Sequence, residues 1–137
     1  MTTYVIYDSV FGNTERIAQA IGAGLGPEAQ VMRVTDANPE QWIAGDLLVV
    51  GSPTRSFRPT EDTSKFLNKL SKDHLAGVRV ASFDTRLALD TIDSSVLRFI
   101  VDKGGYAAST IAKSLEKKGG RLLVPGEGFF VMGEQGP

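Results

Sequence analysis

Five short apolar runs, separated by stretches of helical period, predict an α/β fold with a parallel sheet covered by helices. The runs fall at residues 4–7, 31–34, 47–50, 78–83 and 122–124, and each is too continuously apolar for a strand with one wet face. Strand and helix signals alternate along the chain, which is the pattern of a parallel sheet rather than of hairpins. The 137 residues suit a single domain, 1–137, because a second independent core would need a longer chain.

The elements follow in order. Tyr4-Val5-Ile6-Tyr7 is the first strand, and after Thr14 the residues Ile17, Ala18, Ile21 and Leu25 share one helical face. Gly22-Ala23-Gly24-Leu25-Gly26 then ends that helix and is read as a stop, not as a ligand loop. After the second strand, Asn38-Pro39 is a cap followed by Pro at the first helical position, opening a short connector that carries Trp42. A helix near Thr60 directs Phe66, Leu67 and Leu70 inward. Between strand four and its crossover helix, residues 87–105 exceed an ordinary connection; Val96, Leu97, Ile100 and Val101 give 94–101 the pattern of one or two extra helical turns. Ala108, Ile111, Ala112 and Leu115 mark the last helix, with Gly119 as its stop. The fifth strand breaks at Pro125-Gly126-Glu127-Gly128 and resumes as Phe129-Phe130-Val131.

Right-handed crossovers turn strand order into a statement about coverage. If the order is 2-1-3-4-5, the first crossover runs one way and the later ones the other, so helix 1 covers one face alone. A further helix after strand five is then needed to complete that face. The chain reaches Gly133-Glu134-Gln135-Gly136-Pro137 where that helix is due, so the expectation is a domain cut before its C-terminal helix, or a face covered by another chain.

Composition excludes several functions. Fifteen Lys and Arg against 16 Asp and Glu leave a net charge of −1, too little for the electrostatic footprint of a nucleic-acid or anionic-membrane binder. Without Cys there is no disulfide, thiolate metal site or thiol nucleophile. The single His74 gives no support to a hydrolytic triad or a multi-histidine metal centre, and is read as a surface residue near the end of the third helix. Asp90 and Asp93, with Glu61 and Asp62, are read as loop solvation and helix-start charge. No membrane span or leader is visible, which leaves the cytoplasm as the expected location.

In an open parallel sheet the ligand crevice lies beyond the carboxyl ends of the strands, where the crossover direction reverses. That places the loops after strands one and three together. The first, Asp8-Ser9-Val10-Phe11-Gly12-Asn13-Thr14, combines hydroxyls, a glycine and helix-start amides, which is what a phosphate monoester requires; a bare turn with a Thr cap is the alternative. It lacks the Lys of a triphosphate loop and the spacing of a dinucleotide fingerprint.

These residues resemble the flavodoxin-like family, whose first loop binds the FMN phosphate through a Ser/Thr-x-Thr-Gly-Asn-Thr run. Ser9, Gly12, Asn13 and Thr14 match it, while Val10 and Phe11 stand where hydroxyls are common. Gly51-Ser52-Pro53-Thr54-Arg55-Ser56-Phe57 is similar to the Pro-Thr-Arg-Phe loop of the NAD(P)H:quinone oxidoreductase branch. The resemblance implies that Pro53, Thr54, Arg55 and Phe57 lie against the isoalloxazine, with Ser56 displacing the aromatic by one position. Ser82-Phe83-Asp84-Thr85-Arg86 occupies the family's second flavin loop, which adds Phe83, Asp84, Thr85 and Arg86. An Arg55 or Arg86 side chain near the flavin N1/O2 edge would stabilise the anionic reduced ring and raise its potential, with Asp84 offsetting part of this.

The expectation is therefore a flavodoxin-like three-layer sandwich that binds FMN and takes part in electron transfer with a redox partner protein. A reductase using NAD(P)H and a small quinone-like acceptor is the alternative, and a scaffold domain without FMN is the third reading. Neither a nucleic acid nor a membrane is an expected partner. The 94–101 segment has three uses open to it: a homodimer contact, a lid, or core padding.

Overall fold

The computed structural model describes residues 2–9, 12–53, 59–87, 107–123 and 127–131, excluding the side chains of Asn13, Arg86, Leu87 and 127–131. The extra turns expected at 94–101 lie outside these residues, as do Asp90 and Asp93. The strands are β1 (Thr3–Tyr7), β2 (Gln30–Arg33), β3 (Leu47–Pro53), β4 (Arg79–Leu87), β5 (Arg121–Leu122) and β6 (Glu127–Val131). The helices are α1 (Asn13–Leu25), α2 (Glu61–Lys69) and α3 (Ala107–Lys117), with single 3-10 turns at Val34–Asp36 and Pro39–Gln41.

The order is β2-β1-β3-β4-β5, with β6 pairing β4 beyond β5, and every pairing is parallel. Two rows of β4 show how the fifth strand is split: Val80 pairs Leu122 and Phe83 pairs Glu127. Its second half therefore begins at Glu127, two residues before the apolar run, because backbone pairing extends beyond the hydrophobic residues.

The two faces differ as the crossover argument requires. One carries Ile6, Leu48, Val50 and Val80 against Phe66 and Leu67 of α2 and Ile111 and Leu115 of α3, with Trp42 packed at its side. The other carries Val5, Tyr7, Val49 and Phe83 against Ala18 of α1, with Ile17 and Ile21 half-buried. Each fully buried Leu or Ile contributes roughly 1.5–3 kcal/mol, so the first face supplies more of the stability. Leu25 departs from its expected inward position. It is 46% exposed, because α1 ends at Gly26 (φ +127°) and its last turn overhangs the amino edge of the sheet beside Thr2, Thr3 and Gln30.

His74 also departs from its reading as a surface residue. It sits in the turn after α2, with its ring edge-on to Trp42 at 6.4 Å and its Nε2 donating to the Pro39 carbonyl at 3.0 Å. It thereby fastens the connector, whose Asn38 side chain accepts from Glu40 N–H. Among the described residues no helix is long and apolar enough to cross a membrane.

Candidate functional site

β3 and β4 run further than their apolar runs predict, and this builds the floor of the site. Gly51, Ser52 and Pro53 pair with Phe83, Asp84 and Thr85, so all of these but Phe83, which already lies in the apolar run, are added to the strands rather than to the loops. Hydrophobicity does not mark them because several are polar, buried and satisfied by hydrogen bonds. Gly51 is required by contact: a Cβ there would lie 2.0 Å from Phe83 Cζ. The Phe83 ring is thereby held in the core at 1% exposure, in the cluster with Val5, Tyr7 and Val49.

Three helices start at this carboxyl edge, each with first-turn N–H groups that have no acceptor within the helix itself, and with a partial positive charge. At α2 the Thr60 hydroxyl accepts from Thr63 N–H at 3.4 Å. At α3 the Asp84 carboxylate accepts from Ala108 N–H at 2.8 Å, and Ser82 Oγ donates to Ala108 O at 2.7 Å. Asp84 is fully buried, so this carboxylate is committed to the α3 start rather than to solvent. At α1 the N-cap position is Gly12, which provides no side-chain cap and adopts φ +94°. Only a residue without Cβ takes that conformation cheaply. The α1 start is thus the one of the three, among the described residues, without a protein side chain over its amides.

The loop leading to it is held from several sides. Ser9 Oγ accepts from Gly12 N–H at 3.0 Å, a bond that uses a lone pair of the oxygen and not the hydroxyl proton. Thr14 Oγ1 and Thr85 Oγ1 are 2.9 Å apart and both are buried, joining the base of α1 to β4. Arg16, on the first turn of α1, reaches back so that its Nη2 lies 4.0 Å from where a Gly12 Cβ would stand.

A second network lies under the loop. Asp8 Oδ1 accepts from Ser9 N–H at 2.9 Å, and Asp8 Oδ2 accepts from Thr60 Oγ1 at 2.5 Å. Since Thr60 has one hydroxyl proton, the 2.8 Å bond between Thr60 and Thr63 is donated by Thr63. Ser52 Oγ accepts from Thr60 N–H at 3.0 Å and donates to Pro53 O at 2.9 Å. Arg33, at the end of β2, approaches Asp8 Oδ1 at 3.4 Å, Ser9 O at 3.3 Å and Glu15 Oε1 at 3.7 Å, with Cζ 5.4 Å above the Tyr7 ring. Burial raises the Tyr7 phenol above its ordinary pKa; Glu15 and Asp36 push it the same way and Arg33 opposes them.

Of the residues expected at the site, Ser9, Gly12, Thr14, Pro53 and Thr85 fall at this edge, together with the backbones of Asn13 and Arg86. Phe83 and Asp84 share the strand but point into structural roles. Val10, Phe11, Thr54, Arg55, Ser56 and Phe57 lie outside the described residues, as do the Asn13 and Arg86 side chains. Arg33, Ser52, Thr60 and Asp8 were not among the expected site residues. The signal that could have found Arg33 is register, since Tyr7 pairs Arg33 across β1 and β2. Among the described residues no group of three or more potential ligand side chains could hold a metal ion.

The geometry has close counterparts. Oxidised flavodoxin 2 from Bacillus cereus superposes with a TM-score of 0.74 at 21% identity, covering 96% of this chain and 86% of that one. A flavodoxin from the domain Archaea gives 0.73 at 22% identity, covering 96% and 85%. A flavodoxin, WrbA-like protein from Agrobacterium tumefaciens gives 0.65 at 22% identity, covering 88% and 74%. At these identities the likeness is one of fold. No curated protein matches the sequence. The family model described as Flavodoxin domain matches residues 4–130, which takes in every strand of the sheet except the first residue of β1 and the last of β6, and the chain therefore belongs to the flavodoxin-domain family of redox proteins, whose cofactor is FMN.

Proposed function

We propose that this chain binds FMN on its first loop and carries electrons to a redox partner protein in the cytoplasm. The observation that supports this most is the α1 start. Its neighbours α2 and α3 have a Thr60 hydroxyl and an Asp84 carboxylate on their first amides, whereas Gly12 leaves those of α1 without a side-chain cap. A phosphate placed there would meet N–H donors, the positive end of a helix and no Cβ.

In this reading Ser9, Gly12, Asn13 and Thr14 hold the phosphate, Ser9 and Thr14 through hydroxyls and the others through backbone amides. Val10 and Phe11 offer amides only. Thr85 sets the Thr14 hydroxyl from behind. Pro53, Thr54, Arg55, Ser56 and Phe57 flank the ring on one side and Arg86 on the other. FMN supplies the redox chemistry when bound, and the chain's part is to position it and adjust its potential. A guanidinium from Arg55 or Arg86 near the N1/O2 edge would raise that potential, and Arg55→Ala and Arg86→Ala proteins with unchanged midpoints would remove this role.

The run Pro53-Thr54-Arg55 favours a second reading, an FMN-dependent reductase taking hydride from NAD(P)H. Two measurements decide. Added FMN should give a bound-flavin visible spectrum and raise the melting temperature, since ligand at about a hundred times its Kd stabilises by roughly 2.7 kcal/mol. Rapid mixing of the loaded protein with NADH and NADPH should then give slow reduction for a carrier and fast reduction for a reductase. A protein that stays colourless and gains no stability from FMN is neither, and leaves the scaffold reading.

A further inference from the structure

The first loop must accept a phosphate dianion on the FMN reading, yet two carboxylates stand beside it. Asp8 immediately precedes Ser9 and is 9% exposed, with one oxygen on Ser9 N–H. Glu15 lies in the first turn of α1, the same turn whose amides would face the phosphate. Both would repel a further anion, and Asp8 would do so from a poorly solvated position where screening is weak. Among the described residues only one cationic side chain lies within ion-pair distance of either, and it reaches both: Arg33 Nη1 is 3.4 Å from Asp8 and Nη2 is 3.7 Å from Glu15.

We propose that Arg33 is a positioning residue for FMN, resting on the FMN reading above: it neutralises Asp8 and Glu15 beside the loop and so allows the loop to hold a dianionic phosphate. Its guanidinium is fixed for this by three further features. It donates to the Ser9 carbonyl at 3.3 Å, it stacks over Tyr7 with Cζ 5.4 Å from the ring centre, and it springs from the last residue of β2, whose register against Tyr7 is set by the sheet. The long ion-pair distances and a side chain 41% exposed point to through-space compensation rather than to a tight buried bridge. The role therefore depends on charge, and weakens as salt rises.

The test separates charge from scaffold by using two ligands that share the flavin ring, FMN and riboflavin, of which only FMN carries the phosphate. Apo-protein is titrated with each at low and raised ionic strength, for the unaltered chain, Arg33→Ala, Arg33→Lys, Asp8→Asn and the Arg33→Ala/Asp8→Asn double variant. Arg33→Ala should weaken FMN about three- to tenfold at low salt, the scale of a partly exposed charge interaction, and leave riboflavin nearly unchanged. Arg33→Lys should keep the FMN-to-riboflavin ratio close to that of the unaltered chain, since the charge is retained while the Ser9 contact is altered. In the Asp8→Asn background the loss caused by Arg33→Ala should shrink, because less negative charge needs compensation.

Equal weakening of FMN and riboflavin would overturn the proposal in favour of a merely structural Arg33. So would an Arg33→Ala protein with undiminished FMN affinity, an Arg33→Lys protein as impaired as Arg33→Ala, or a full Arg33→Ala loss in the Asp8→Asn background. If the unaltered chain binds riboflavin or FMN in none of the titrations, the FMN reading itself fails and the role of Arg33 falls with it.

Discussion

The starts of α1 and α2 stand at the same edge of the sheet, yet one is finished by the protein and the other is not. At α2, Thr60 supplies the hydroxyl that its first turn needs, and that hydroxyl is tied in turn to Asp8 and Thr63. At α1, Gly12 supplies no side chain, and Ser9 holds the Gly12 amide instead of the amides of the first turn. The difference teaches where to look for a ligand. Helix dipoles and orphan amides are common to both ends, so they distinguish nothing; what distinguishes α1 is that its geometry excludes a protein cap while its loop is built up from below. Asp8 links the two, giving one oxygen to the α1 loop and the other to Thr60.

The largest effect should come from breaking the finished start. Thr60→Ala removes the α2 cap, worth about 0.5–2 kcal/mol, and strips Asp8 Oδ2 of its hydroxyl donor in a buried setting, which adds roughly 1–3 kcal/mol. A net loss of about 2–3 kcal/mol is expected by urea unfolding of the apo-protein, with Thr60→Ser recovering most of it. If Thr60→Ala costs under half a kcal/mol, the α2 start is not held in the way described. The contrast with α1 is that added FMN should leave this deficit in place.

Gly12→Ala probes the open start and should act mainly on ligand. The substitution forces a Cβ onto φ +94°, a strain of about 1–2 kcal/mol for an L-residue, and relief of that strain would turn the loop away from its phosphate geometry. The space itself is not crowded, since the nearest atom to the new Cβ is Arg16 Nη2 at 4.0 Å. The apo-protein should therefore lose somewhat less stability than with Thr60→Ala, while stabilisation by FMN falls sharply. Retention of the full FMN-dependent shift in melting temperature would mean that the phosphate is held elsewhere.

The same contrast explains how much could be read from the chain. The α2 start was legible because a cap is local: Thr60 precedes the apolar positions Phe66 and Leu67 within one helix, and both are buried. The coverage of the two faces was legible because handedness fixes it once the order is 2-1-3-4-5. The links between loops were not legible. Thr14 meets Thr85 across 71 positions, Thr60 meets Asp8 across 52 and Arg33 meets Asp8 across 25, and only register brings such residues together. Asp84 shows the cost of reading by loop alone. β4 continues through it, and its carboxylate accepts from Ala108 N–H at the start of α3, a partner that the loop's sequence does not indicate. Leu25 failed for a different reason, since helical period says which side a residue faces but not whether the sheet extends beneath it.

The smallest effect concerns Tyr7, which lies one residue before Asp8 and beneath Arg33. Its phenol is held above the ordinary value of 10.0, first by burial, then by repulsion from Glu15, against the pull of Arg33. As pH rises past that ordinary value the unfolded chain gives up the Tyr7 proton before the folded one does, so stability is retained below it and falls as pH rises toward the folded pKa. Arg33→Ala removes the lowering influence of the guanidinium and should move the Tyr7 midpoint further up in an NMR titration of the ring. Bound FMN should do the same, because a phosphate dianion on the α1 start adds negative charge near the phenol, and linkage then requires FMN to bind more weakly once Tyr7 is ionised. A Tyr7 midpoint that FMN leaves unmoved, in a protein shown to bind it, would place the phosphate too far from the α1 start for the contrast between the two helices to carry function.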